Sequence, residues 1–368
     1  MICETFYMKK VMSLLNCKAE NNMPQQIIKK KIVFIMLFFS CFFKNFSTLC
    51  RSVLRGENNK KPQIQVRLAS KKSRNYYLKD WRLEKDPIFG SFDKKFFNKN
   101  LVPDKISYKY SPNNQVTKKM LVTKLEHLFQ EIEKKKRHYT HFDVLRKSNF
   151  NRRKRCGLLI LKFKDYPFVV KIFMETPRSF VRPYSKGFYP IFFYNMGGGI
   201  NRHLLGFTRV NNLLEIKDSI EKSPKWSKMI STPRKWFWKP QDSNDIEIIG
   251  KNFGNKEIKV IIPGTYCIIA DAIKLKNKHF SLFDQPAREM CMSLCNYLDV
   301  RIDPHIDNFL LEEGTDKIVI IDTEHFPSIV GFKKRQQFNG YFDWYFKLCM
   351  KCLNDMFFTS KKERIKRT

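Results

Sequence analysis

Short apolar runs of strand length dominate the middle of this chain. Gly157-Leu-Leu-Ile-Leu-Lys-Phe163 and Phe168-Val-Val-Lys-Ile-Phe-Met174 flank Lys-Asp-Tyr-Pro, a turn composition, and predict two adjacent strands. Glu257-Ile-Lys-Val-Ile-Ile262 and Thr265-Tyr-Cys-Ile-Ile-Ala-Asp-Ala-Ile273 meet at Pro263-Gly264 and predict a hairpin. Lys317-Ile-Val-Ile-Ile321 is a shorter run rich in β-branched residues, as a buried strand requires. Helical spacing governs other stretches. Between Thr117 and Lys136, the residues Met120, Leu121, Leu125, Leu128, Phe129 and Ile132 share one face, with acids and lysines opposite, so a core-docking helix is expected. Gln285 to Leu298 repeats this with Ala287, Met290, Cys291, Leu294 and Leu298.

Trp226 to Lys239 carries the aromatic run Trp236-Phe-Trp238 and reads as an insertion. Its aromatics either anchor a loop on the core or, beside their cations, clamp a base or sugar. Met196-Gly-Gly-Gly199 reads as a connector into a helix, with a phosphate-cradling turn as the alternative.

Residues 1–50 break the pattern. Lys29-Lys-Lys-Ile-Val-Phe-Ile-Met-Leu-Phe-Phe-Ser-Cys-Phe-Phe43 is a basic cluster before an apolar run too short for a comfortable membrane span. It predicts a targeting segment, a signal peptide or an anchor, and hence an exported or membrane-anchored protein. Residues 51–142 follow as linker and helical extension.

Composition adds a large charge imbalance, 70 Lys+Arg against 35 Asp+Glu, for a formal net charge of +35. Such a balance suits an anionic partner: a phosphorylated ligand, an anionic membrane, a host protein or nucleic acid. An AT-rich coding sequence would yield the same crowding of Lys, Asn, Ile and Phe. No zinc-finger spacing, RNA-recognition signature or helix-turn-helix pattern supports nucleic acid. The 34 Phe and 14 Tyr need a packed interior and argue against an extended basic tail. Of the 10 cysteines, Cys291/Cys295 and Cys349/Cys352 have helical spacing. Buried thiols are favoured there over zinc ligands.

The chemistry lies near the C-terminus, in Arg301-Ile-Asp303-Pro-His305-Ile-Asp-Asn308 and in Asp322-Thr-Glu324 at the end of the Lys317–Ile321 run. Phosphoryl transfer needs an oriented acceptor hydroxyl and metal ions that neutralise charge between terminal phosphates. Magnesium takes hard oxygen ligands, which Asp and Asn supply. Asp303 then serves as base or orienter, and Asn308 and Asp322 as metal ligands. Read alone, the pair of segments serves equally well as two turn-forming Asp residues bracketing a hairpin. Order along the chain adds to the first reading: Lys171 on a strand, the Thr265–Ile273 strand, the Gln285–Leu298 helix, Asp303/Asn308, then Asp322.

In that order the chain resembles the protein-kinase-like superfamily between about Asp143 and Val330, closer to its aminoglycoside-phosphotransferase branch. The resemblance implies an α+β, bilobal core, with a five-stranded antiparallel N-lobe in residues 143–273 and a reduced helical C-lobe in residues 274–368. It implies ATP and Mg2+ as cofactors. Lys171 would pair the phosphates, backbone groups at Ala270 and Ala272 would bind adenine, and Glu215 is the best candidate for the helix partner of Lys171. Three departures stand out. Asn151-Arg-Arg-Lys-Arg-Cys-Gly157 replaces a glycine-rich loop, Arg301 replaces the usual His, and Asp322-Thr323-Glu324 replaces Asp-Phe-Gly. The expected function is an exported phosphotransferase acting on an unknown acceptor. A non-catalytic kinase-like binding module is the alternative, and a basic nucleic-acid-binding protein the weaker one.

Overall fold

The chain divides into compact units at residues 1–61 and 62–368. The computed structural model describes residues 64–70, 73–78, 90–181, 199–251, 257–276, 280, 284–330, 337–341, 343, 344 and 347, all in the second unit. The expected targeting segment, most of the connector that begins at Met196 and the Cys349/Cys352 pair lie outside the described residues.

The order of elements is β1 (Gln65–Leu68), β2 (Tyr76–Tyr77), α1 (Lys94–Lys99), β3 (Lys105–Tyr108), β4 (Ser111–Thr117), α2 (Lys118–Glu133), β5 (Phe142–Asn151), β6 (Cys156–Phe163) and β7 (Phe168–Met174). Then come α3 (Pro177–Phe180), α4 (Gly199–Glu221), α5 (Trp226–Met229), β8 (Ile230–Ser231), β9 (Lys235–Trp238), β10 (Ile246–Lys251), β11 (Glu257–Ile262) and β12 (Thr265–Asp271). Finally come α6 (Gln285–Tyr297), β13 (Phe309–Leu311), β14 (Ile318–Ile320) and α7 (Phe326–Val330). The fold is mixed α+β with largely antiparallel sheets.

A five-stranded antiparallel sheet, in the order β5-β6-β7-β12-β9, holds the middle of the molecule. Strand alternation sends its side chains to two cores. On one face Leu159, Leu161, Phe163, Phe168, Val170, Ile172, Cys267, Ile269 and Trp238 pack against Leu121, Leu125, Leu128 and Ile132 of α2. Thr117 caps that helix by accepting from the Met120 N–H. Met120 itself, expected on the apolar face, is exposed. The run at Trp236–Trp238 is the edge strand of the sheet, with Phe237 and Trp238 buried.

On the other face lies α4, 23 residues long. Its first half packs Leu204, Leu205, Phe207 and Val210 against Phe173, Phe237, Tyr266 and Ile268 of the sheet. Its second half gives Ile216 and Ile220 to a separate core with Cys291, Leu294, Phe309 and Ile320 of α6 and the β13–β14 hairpin. One helix thus spans both cores, and its middle turn lies where they meet. Gly206 permits the close approach: a Cβ there would run into the Tyr266 hydroxyl and the Phe173 ring. Glycine costs a helix interior about 1 kcal/mol. Here the Tyr266 hydroxyl donates to the His203 carbonyl at 2.6 Å, and Tyr266 stacks on Phe207 at 4.1 Å, which offsets that cost.

The expected hairpin at Pro263-Gly264 does not form. β11 pairs with β10 in a second, four-stranded sheet (β11-β10-β1-β2), while β12 enters the five-stranded sheet between β7 and β9. Contacts from remote segments turn the corner into a change of sheet. Buried His203 meets the Pro263 carbonyl at 2.7 Å, the Glu175 N–H donates to the Gly264 carbonyl at 2.9 Å, and Asn244 backbone lies where a Cβ on residue 264 would stand.

Candidate functional site

Lys171 lies on β7 opposite Ile268 of β12, and Lys235 lies on β9 opposite Ala270 of β12. Both point to the α4 face, two positions apart in the period of their strands from Phe173 and Phe237. Against them stands the end of β14. Pairing of Phe309 with Ile320 continues as the Ile321 N–H donates to the Asn308 carbonyl at 3.0 Å, which brings Asn308 beside Asp322.

The structure therefore brings Lys171 and Asp322 together, with the Asn308 backbone next to Asp322 in the hairpin. Lys171 Nζ is 3.6 Å from Asp322 Oδ2. Asp322 Oδ1 accepts from Arg209 Nη1 at 2.6 Å, and Arg209 Nη2 lies 3.1 Å from Glu324 Oε2. Arg209 belongs to the middle turn of α4 and is almost fully enclosed, whereas Asp322 keeps 26% of its side-chain surface open. Lys235 Nζ donates to the Ile321 carbonyl at 3.1 Å and to Thr323 Oγ1 at 2.7 Å. Thr323 Oγ1 in turn donates to the Arg209 carbonyl at 2.6 Å. The Asn212 amide donates to the Arg301 and Thr323 carbonyls at 3.0 and 3.1 Å, so α4 holds both acid-bearing segments.

Asp303 follows α6 after Asp299 and Val300, both with left-handed backbone (φ 53° and 57°). Its carboxylate accepts from the His305 N–H at 3.0 Å, and its carbonyl accepts from the Asn308 amide at 3.1 Å. Asn308 thus orients the loop through its nitrogen, while its oxygen accepts no bond among the described residues.

Protonation follows from this crowding. Burial pushes the Asp303 carboxyl up to about 7, with Asp322 and Glu324 adding to the rise and the His305 N–H opposing it. Burial would also raise Asp322, but Arg209, Lys171 and Lys235 outweigh it and hold the carboxyl well below the usual range. Glu324 is raised, by burial first and by Asp322. Burial lowers both Lys171 and Lys235, the latter strongly and with Lys171 adding to the effect. Asp303, Lys171 and Asp322 are enclosed by protein on most sides yet partly open to solvent.

Two expected partners are engaged elsewhere. The Glu215 carboxylate binds Arg301 and the Asn211 amide, and the structure does not bring it to Lys171. Its place six residues beyond Arg209 on α4 turns it to a part-exposed position beside Arg301. Ala270 sits in the paired part of β12, and the Ala272 N–H donates to the Pro167 carbonyl at 2.9 Å. The next residue, Ile273, has no hydrogen bond among the described residues. Beyond it, Lys274 is held by Tyr110, whose hydroxyl accepts the Lys274 N–H at 3.2 Å and donates to Glu312 at 2.6 Å.

The residues that sequence reading missed are Arg209, Lys235 and Asn212. Among the described residues no three His, Cys, Asp or Glu side chains form a ready metal cage. Magnesium commonly takes only one or two carboxylates and completes its shell with phosphate oxygens and water, so the Asn308 and Asp322 oxygens fit it by type. No helix among the described residues is long and apolar enough to cross a membrane. No protein-family model and no curated protein matches the chain.

Proposed function

We propose that the chain is a nucleoside-triphosphate-dependent phosphotransferase of protein-kinase-like, bilobal architecture. The five-stranded sheet serves as the N-lobe, and α6 with the β13–β14 hairpin as a reduced C-lobe. The observation that carries this reading is the 3.6 Å approach of Lys171, on the third strand of the sheet, to Asp322 at the end of β14. A lysine and an acid so placed face the phosphates of one nucleotide from two sides.

Lys171 binds the phosphates of ATP. The free backbone of the β12 exit, at the Ala272 carbonyl and Ile273, replaces Ala270 and the Ala272 N–H as the contact for the base. Asn308 and Asp322 would hold Mg2+, which would neutralise charge between the terminal phosphates. Asp303 accepts the proton of the acceptor hydroxyl as its oxygen bonds to the terminal phosphorus; the bond from that phosphorus to the bridging oxygen breaks and its electron pair leaves with the nucleoside diphosphate. With its carboxyl near 7, Asp303 is suited to exchange a proton at neutral pH. The acceptor belongs to whatever compartment the exported protein reaches, and the basic exterior suits an anionic membrane or a host partner there.

One observation favours the non-catalytic module instead: Arg209 occupies one of the two Asp322 oxygens that a metal could use. Radiolabelled phosphate transfer to a mixed acceptor pool, beside nucleotide binding by calorimetry, separates the two. The enzyme reading expects Asp303→Ala to keep nucleotide affinity within a few-fold and to lose transfer. Wild type that binds nucleotide and never transfers phosphate would establish the module.

A further inference from the structure

The Asp-Thr-Glu segment carries two carboxylates, yet it is covered by cations from three elements. Asp322 meets Arg209 on one oxygen and Lys171 on the other, and Glu324 meets the second arm of the same guanidinium. Lys235 adds a second lysine beside it, bonded to the Thr323 hydroxyl and the Ile321 carbonyl. A guanidinium cannot shed its charge, and this one is held between the Asp322 and Glu324 carboxylates. A divalent cation entering alone would thus meet carboxylates already paired with a permanent guanidinium charge and crowded by two lysines. A polyphosphate faces the opposite balance, since it draws the part-exposed Lys171 off the Asp322 oxygen and frees that oxygen for a cation.

We propose that Arg209 and Lys171 close the Asp322–Glu324 pair to free divalent cations, so that a cation enters this site only together with a polyphosphate. The inference rests on the phosphotransferase reading for the identity of that polyphosphate, but the exclusion of the free cation rests on the ion cluster alone. It assigns Arg209 a role as a positioning residue: it touches neither substrate nor product, and it sets the order in which they bind. Lys171 is the movable member, being partly open to solvent, while Arg209 is enclosed and stays. Charge compensation of this kind couples two ligands because each alters the field the other meets.

The test uses the full-length chain and Mn2+ as the probe, with thermal denaturation and electron paramagnetic resonance of bound Mn2+ as readouts. Wild type is expected to show no bound Mn2+ signal and a shift below about 1 °C with millimolar Mn2+ alone, and a clear shift and signal once ATP is added. Lys171→Met, and Arg209→Gln if it folds, are expected to bind Mn2+ without nucleotide and to gain several degrees, about what occupancy far above Kd delivers. Lys171→Met alters a partly exposed residue and keeps the test decisive should Arg209→Gln not fold. Mn2+ binding by wild type in the absence of nucleotide overturns the inference and leaves the phosphotransferase reading standing. Variants that bind no Mn2+ also overturn it. Wild type that answers to neither Mn2+ nor ATP, beside variants that bind Mn2+, keeps the exclusion, refutes the coupling to polyphosphate, and sinks the phosphotransferase reading.

Discussion

The two sides of the ion cluster are built differently. The cationic side comes from regular elements: Lys171 and Lys235 stand on paired strands of one sheet, and Arg209 on the middle turn of a 23-residue helix. The acidic side comes from short irregular pieces: Asp303 on a loop, Asn308 at the end of a single 3-10 turn, and Asp322 and Glu324 just past a three-residue strand. Strand and helix ladders fix the cations whether or not the acids are present. The acids depend on a handful of side-chain bonds, most of them from α4. Rigidity on one side and dependence on the other make the cation side the template on which the acidic side is assembled.

Removing the template should therefore cost most. Arg209→Met leaves Asp322 and Glu324 enclosed without their shared partner and is expected to destabilise the fold by about 3–5 kcal/mol in urea denaturation. A loss below about 1 kcal/mol would mean that the acids hold their own geometry.

Thr323→Val keeps the shape and deletes the hydroxyl that receives Lys235 and binds the Arg209 carbonyl. The expected loss is about 1–3 kcal/mol, since a buried donor and a buried acceptor lose their partner. An unchanged midpoint would show that the strands alone position Asp322.

Asp303 gives a pH-dependent contrast. Its folded-state value, pushed up to about 7, lies above the unfolded value of 3.8, so the folded protein binds the extra proton between the two. Its contribution to stability is full below about pH 4 and is lost as pH rises through 7. Asp303→Asn lacks this loss. Between pH 5 and pH 8, wild type should fall relative to the variant by about 1–3 kcal/mol, allowing for the solvent that reaches Asp303. A pH-independent difference would place Asp303 in open water.

Lys171→Met should change stability least, by under about 1 kcal/mol, because Asp322 keeps Arg209 and the lysine already has solvent access. Its effect belongs to nucleotide affinity. A large loss of stability would make Lys171 part of the template's foundation.

Much of the sheet was legible because period does the work: β6 and β7 bury alternate residues, and α2 buries Leu121, Leu125, Leu128 and Ile132 at helical spacing. Lys171, Asn308 and Asp322 were legible because each sits beside a recognisable strand or turn. The corner at Pro263-Gly264 was not. The same dipeptide serves a hairpin or a change of sheet, and the choice is made by His203 and Asn244, which local pattern does not reach. Arg209 and Lys235 were hidden among 70 basic residues. A signal for Arg209 did exist: Leu205, Arg209, Asn212 and Ile216 fall on one stripe, where an arginine and an asparagine interrupt an otherwise apolar face. Glu215 sounded like a lysine partner because an acid on a nearby helix was wanted, but helical phase sends it to Arg301.

The most direct test of the phosphotransferase site is ATP binding by the full-length chain, measured by calorimetry with and without Mg2+, for wild type, Lys171→Met and Asp322→Asn. Wild type is expected to bind ATP most tightly with Mg2+, Lys171→Met to weaken binding in both conditions, and Asp322→Asn to abolish only the gain from Mg2+. Absence of ATP binding by the folded wild-type chain would contradict the site.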